Sequence, residues 1–247
     1  MQETILYTRE SPLSQNLCQA FEKKQLKVLS IPLIKTVALS FTVPQQTYDW
    51  LLFTSSNAVN YFFSSKMTDV KAAVIGEKTK IAAQQAGYEI GFQSYEGDGD
   101  SFVNEWLAFT QEHKTPSGRP LQVLFPRSKI ASSKIISKLV NAGIEVTDLS
   151  VYDTVFPPEQ EGVLLQAIDT CSFTYAVFAS PSAWHHFYQV FEKSSFRTNQ
   201  KYFFSKIKIL SIGPVTSRAI LEKGCQVALE SREYTIDALI EKFLEER

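Results

Sequence analysis

Short apolar runs alternate with amphipathic stretches along the whole chain. Ile5 to Tyr7, Val28 to Ile31, Leu51 to Phe53 and Ala73 to Ile75 are of strand length and rich in Val, Ile, Leu and Phe. Between such runs the apolar positions recur at helical spacing. Leu13, Leu17 and Phe21 lie on one face in LSQNLCQAFEKKQ, as do Ile135, Ile136, Leu139 and Val140 in SSKIISKLVNAG. Gly87, Gly143 and Gly224 stand where helices should end, at the position that favours a left-handed backbone. Strands that are apolar throughout, separated by helices, predict an α/β fold with mainly parallel sheets flanked by helices.

The pattern is duplicated. ILYTRE at 5–10 matches VLFPRS at 123–128, and KVLSIPLIKTV at 27–37 matches EVTDLSVYDTV at 145–155, at one common offset. AAVIGEKTKIAAQQAGYEI at 72–90 is echoed by ILSIGPVTSRAILEKGCQV at 209–227, and DGDSFVNEWL at 98–107 by TIDALIEKFL at 235–244. WLLFTSSNAV at 50–59 and AVFASPSAW at 176–184 build the same strand-to-turn-to-helix corner. The segments therefore run a, b, a′, b′. The stretch EHKTPSGRP at 112–120 reads as a linker between tandem halves. Prolines at equivalent points of both a segments, in KTVALSFTVPQQ and DTVFPPEQ, equally allow a to pair with b′ and b with a′. Both partitions are open at this level.

Four strand ends lead into helix starts through small or hydroxyl residues: Thr54-Ser55-Ser56-Asn57, Gly76-Glu77-Lys78-Thr79, Ser180-Pro181-Ser182 and Gly213-Pro214-Val215-Thr216. Each can cap its helix, and Pro214 suits a first helical turn. The same corners can also cradle a carboxylate or phosphate, because the first N–H groups of a helix lack partners and its dipole is positive there. In parallel sheets such corners gather beyond the carboxyl ends of the strands, where ligands bind. Four of them on two domains, facing one another across a cleft, would hold a ligand with many anionic groups around a ring.

Composition narrows the chemistry. The 247 residues carry a formal net charge of −1, so no global positive field marks a nucleic-acid or membrane-surface binder. An anionic partner must be held by local geometry. Cys18, Cys171 and Cys225 follow no metal-binding or CxxC spacing and read as free thiols in a reducing compartment. The opening MQETILYTRE lacks the apolar core of a signal peptide, and no window approaches the ~18 apolar residues of a spanning helix. The expectation is a cytoplasmic protein. His113, His185 and His186 offer no metal spacing, and GDGD at 97–100 reads as a turn before a helix. Neither GxGxxG nor a Walker motif nor a GxSxG elbow is present.

FTSSNAV, IGEKT followed by Gly87, SVYDTV, FASPSA and IGPVTSRAILEKG, in this order and spacing, resemble the uroporphyrinogen-III synthase family over nearly the whole chain. The resemblance implies two similar α/β domains, each a mainly parallel sheet flanked by helices, joined by a two-stranded connector with a cleft between them. It places domain 1 at about 1–36 plus 155–247 and domain 2 at about 37–154, with 112–120 as a loop inside domain 2. The implied reaction is that of a hydro-lyase, closing hydroxymethylbilane into uroporphyrinogen III with inversion of ring D and loss of water. It implies no cofactor and no metal, a monomer, a linear tetrapyrrole as substrate, and transient contact with the enzyme that makes hydroxymethylbilane. Neither a nucleic acid nor a membrane is expected as a partner.

The resemblance also implies roles for residues. Tyr152, in SVYDTV, matches the family's tyrosine and is the expected proton donor to the leaving hydroxyl, or else a connector residue packed on the cleft wall. Ser55, Thr79, Ser180 and Thr216 match its hydroxyl corners and are expected to bind substrate carboxylates, a role compatible with capping. Lys208 matches a basic position of some relatives and is expected to pair with a propionate, though a solvated lysine at a strand start reads equally well. Val215 and Asn57 depart from residues common in relatives. The competing hypothesis is a non-catalytic two-domain relative that binds a tetrapyrrole or another polyanion.

Overall fold

Consecutive residues of the apolar strands serve two different cores. In β1 (Thr4–Tyr7) Ile5 and Tyr7 enter one cluster and Leu6 the other; in β9 (Tyr175–Phe178) Tyr175 and Val177 join the first, Ala176 and Phe178 the second. β4 (Trp50–Phe53) divides in the same way, with Leu51 and Phe53 on one side and Leu52 on the other. The period of two along a strand forces this split, and helices on both faces leave no solvated side for polar residues.

The structure, a computed structural model, describes residues 3–62, 67, 69–94, 99–112 and 119–247. The chain forms two compact units, Met1–Lys35 with Val155–Arg247, and Thr36–Thr154. The first contains β1, α1 (Gln15–Lys23), β2 (Lys27–Ser30), α6 (Glu161–Asp169), β9, α7 (Pro181–Phe191), α8 (Gln200–Lys206), β10 (Lys208–Ser211), α9 (Pro214–Leu221), β11 (Val227–Glu230) and α10 (Ile236–Glu245). Its five-stranded sheet runs β11-β10-β9-β1-β2, all neighbours parallel. α1 and α10 cover one face through Leu17, Phe21, Leu239, Ile240 and Phe243. α6, α7, α8 and α9 cover the other, where Trp184 lies 5.1 Å from Phe178 and 5.7 Å from Phe187, ring centre to ring centre. Burying each such ring contributes about 2–3 kcal/mol.

The second unit's sheet has six strands in the order β3-β8-β7-β4-β5-β6, built from β3 (Lys35–Ala38), β4, β5 (Lys71–Ile75), β6 (Ile90–Ser94), β7 (Gln122–Ser128) and β8 (Glu145–Val155). The neighbours from β8 to β6 are parallel. α2 (Ser56–Phe62) and α3 (Glu77–Gln85) lie on one face; α4 (Gly99–Glu112) and α5 (Lys134–Asn141) lie on the other.

The two sheets correspond strand for strand, β11-β10-β9-β1-β2 against β6-β5-β4-β7-β8. The repeat therefore crosses. Segment a pairs with b′, Ile5 opposite Tyr175, and segment a′ with b, Trp50 opposite Val123. The chain passes between the units twice, within β3 and within β8, which are neighbours in the second sheet. Of the stretch 112–120, residues 113–118 lie outside the described residues. Arg119, just after them, forms a two-pronged ion pair with Asp49 at 2.7 and 2.8 Å inside the second unit. Gly87, Gly143 and Gly224 all adopt positive φ at helix ends.

Candidate functional site

The four corners belong to two kinds, set by the residue before each helix. Ahead of α2 and α7 stands a serine. Ser55 Oγ accepts the Ala58 N–H at 3.2 Å, and Ser180 Oγ accepts the Ala183 N–H, also at 3.2 Å. Ahead of α3 and α9 stands a glycine, Gly76 or Gly213, and no side chain caps the helix. The glycine corners thus leave the first helical amides for water or a ligand. Pro214 removes one donor at α9, which α3 retains. Gly76 has φ 75°, a conformation other residues adopt only with strain. Gly213 is extended, but a Cβ there would meet Cδ1 of Tyr234 at 2.6 Å.

Thr79 and Thr216 are the third residues of α3 and α9, equivalent positions of the repeat. Both are buried, and neither hydroxyl makes a hydrogen bond among the described residues. Their neighbours are committed elsewhere: Glu77 accepts from Gln93, and Ser217 donates to Glu230. Val215, between Pro214 and Thr216, is exposed.

Tyr152 lies on β8, where a register shift between Arg127 and Ser128 sets it opposite Ser128. This irregularity turns the phenol toward the start of α2. Its oxygen lies 3.3 Å from Ser55 Oγ, and either hydroxyl can donate. The Tyr152 ring stacks on Tyr61 at 5.2 Å and 18°, and Tyr61 Oη donates to Thr36 Oγ1 at 2.9 Å. The fold thus brings together Ser55 and Tyr152, far apart in sequence, and adds Tyr61 and Thr36. No local pattern marks those two, because their link to Tyr152 is tertiary.

Lys208 belongs to the first unit. It is the first residue of β10, opposite Tyr175 at the start of β9, with its ammonium 6.0 Å from the Tyr175 ring centre. In a parallel sheet that is the amino edge, whereas Ser180 and Gly213 leave the carboxyl edge. A strand's length separates Lys208 from the Ser180 and Gly213 corners of its own unit, and its side chain is exposed.

The described histidines and the cysteines all lie in the first unit. His113 lies outside the described residues. His185 is exposed; His186 Nδ1 lies 2.7 Å from the Leu33 carbonyl, with its ring packed on Phe156. No group of His, Cys, Asp and Glu among the described residues could hold a metal ion. Cys18 and Cys171 are exposed, and burial pushes the Cys225 thiol up to about 11. Of GDGD, residues 97 and 98 lie outside the described residues and Gly99 opens α4. No helix among the described residues is long and apolar enough to cross a membrane.

The family model described as "Uroporphyrinogen-III synthase HemD" matches residues 15–241. The chain belongs to the uroporphyrinogen-III synthase family. Among curated relatives, the chloroplastic uroporphyrinogen-III synthase of Oryza sativa subsp. japonica is 28% identical over 195 residues, covering 72% of this chain and 62% of that protein. The uroporphyrinogen-III synthase of Synechococcus elongatus is 25% identical and covers 96% of this chain and 93% of its own length. Among solved structures, the uroporphyrinogen-III synthetase of Helicobacter pylori superposes with a TM-score of 0.67 at 17% identity, over 100% of both chains. A mutant uroporphyrinogen III synthase from Thermus thermophilus gives 0.62 at 17% identity, over 99% of this chain and 100% of its own. At such identities the structural likeness speaks for the fold, which the crossed, duplicated sheets already define.

Proposed function

We propose that this protein is an active uroporphyrinogen-III synthase, a hydro-lyase of tetrapyrrole biosynthesis that closes hydroxymethylbilane with inversion of ring D. The family match across residues 15–241 carries the reading. The corners add a physical reason for it. The substrate bears an acetate and a propionate on every pyrrole, and the uncapped amides of α3 and α9, with Thr79 and Thr216, are suited to carboxylates. Ser180 offers its hydroxyl at a third corner, while that of Ser55 is turned to Tyr152. Lys208, at the opposite edge of its sheet, has no part in this reading.

Tyr152 is the proton donor in this proposal. Because Ser55 Oγ already accepts the Ala58 N–H, its own proton can be directed to the phenol oxygen. The phenol then has its proton free for the departing hydroxyl, and the Ser55 hydrogen bond offsets the charge left behind. Tyr61 holds the ring by stacking. The cation formed on loss of the hydroxyl is stabilised by the substrate's own pyrrole nitrogen, so the reading requires no cofactor. Positioning does the rest, by bringing the substituted carbon of ring D into reach. We further propose a cytoplasmic monomer that takes its unstable substrate from the enzyme producing it by transient contact.

The test is direct. Purified protein mixed with freshly prepared hydroxymethylbilane should yield the type III isomer. Type I product alone, as in spontaneous closure, would reduce the protein to a non-catalytic binder.

A further inference from the structure

The repeated strand ends ILYTRE and VLFPRS each carry an arginine, and the two arginines have different fates. Arg127, at the end of β7, turns back onto β8. Its Nε reaches Asp148 Oδ1 at 2.5 Å, one terminal nitrogen reaches Asp148 Oδ2 at 2.7 Å, and the other donates to the Ala131 carbonyl at 2.6 Å. Its side chain is only 9% exposed. Arg127 is a structural residue with its fork filled.

Arg9 is the same position in the first unit. In the second unit Asp148 stands opposite Phe125; in the first, the residue opposite the equivalent Tyr7 is Ser30. The acid that locks Arg127 is therefore replaced by a short neutral side chain. Arg9 is half-buried and makes no hydrogen bond or ion pair among the described residues. It lies two residues beyond the end of β1, at the carboxyl edge from which α7 and α9 also set out, and β1 is the neighbour of β9 in the sheet.

We propose that Arg9 is a carboxylate-binding residue of the first unit. It takes one acetate or propionate of the tetrapyrrole in the place that Asp148 fills against Arg127. This rests on the synthase reading and adds to it the side-chain charge that main-chain amides do not supply. A guanidinium presents two parallel donors matched to a carboxylate, which an ammonium cannot imitate.

The repeat supplies its own test. Arg9→Gln should raise the KM for hydroxymethylbilane roughly tenfold with kcat little changed. Arg9→Lys should recover only part of the loss. Ser30→Asp restores the acid present in the other copy, so it should capture Arg9 and raise KM similarly without lowering the melting temperature. Arg9→Gln with Ser30→Asp should then be no worse than Arg9→Gln alone. A KM for Arg9→Gln within twofold of the parent, or multiplying effects in the double variant, would overturn the assignment. Titration with uroporphyrin, which bears the same carboxylates, reads Arg9 without turnover: weaker binding by Arg9→Gln supports the role and equal binding refutes it. Absence of type III product from the parent protein would count against the synthase reading alone.

Discussion

Removing one oxygen separates what Tyr152 does for the fold from what it does for the reaction. In Tyr152→Phe the ring keeps its place against Tyr61 at 5.2 Å, and the residue, 8% exposed, leaves no cavity. The loss is the contact with Ser55, which at 3.3 Å is long for a pair of hydroxyls. Such a bond contributes about 1 kcal/mol or less, a shift of roughly 2–4 °C in melting temperature for a chain of this length. Ser55 keeps its own partner, the Ala58 N–H. A proton donor, by contrast, accounts for ~10²–10⁴ in rate, or about 3–5 kcal/mol in the barrier. The two scales differ enough that loss of turnover cannot be mistaken for unfolding. The assay compares initial rates of type III formation, with products oxidised and isomers resolved, alongside a thermal melt of the same samples. Parent-like turnover in Tyr152→Phe with an intact melt would remove the phenol from the mechanism.

Other perturbations test other parts of the structure. Thr79→Val and Thr216→Val should leave stability within about 1 kcal/mol, since neither hydroxyl has a partner to lose among the described residues, but should raise KM severalfold; unchanged kinetics would leave main-chain amides as the sole ligands there. Ser180→Ala removes the cap of α7 and should cost about 1 kcal/mol in a denaturant titration. Asp148→Ser, which imitates the first unit, should cost about 2 kcal/mol because it strips the partner from a buried guanidinium, the partly exposed acid limiting the loss; a stable variant would show that Arg127 finds other acceptors. In the native protein Cys18 and Cys171 should alkylate readily and Cys225 only after unfolding, by mass spectrometry. Through Cys225, stability should be flat below pH 9, where the thiol is protonated in both states. It should decline as pH rises from 9.0 toward 11, where the unfolded chain gives up the proton first.

Local patterns sufficed for much of this molecule. Apolar strands, helix periodicity and left-handed glycines act over a few residues, so the α/β class, the strand-to-helix corners and the duplication could be read from residue order. The difference between the two kinds of corner was not read there: each was expected to cap its helix, and ahead of α3 and α9 no side chain does. Lys208 shows where that reading stops. Its expected pairing with a propionate came from likeness to relatives, and only the sheet shows that it stands at the amino edge, with the Ser180 and Gly213 corners of the same unit at the carboxyl edge.

Pairings between distant segments had no signal in either partner alone. Crossing of the repeats, contact of Ser55 with Tyr152 and support from Tyr61 and Thr36 all depend on which strands lie side by side. The same holds for the two arginines. ILYTRE and VLFPRS look alike, and only the register of each with its neighbouring strand puts Asp148 beside one and Ser30 beside the other. Backbone preferences are local and follow from residue order. Charge neutralisation and hydrogen bonding are decided by what stands within about 3 Å, which tertiary packing alone determines.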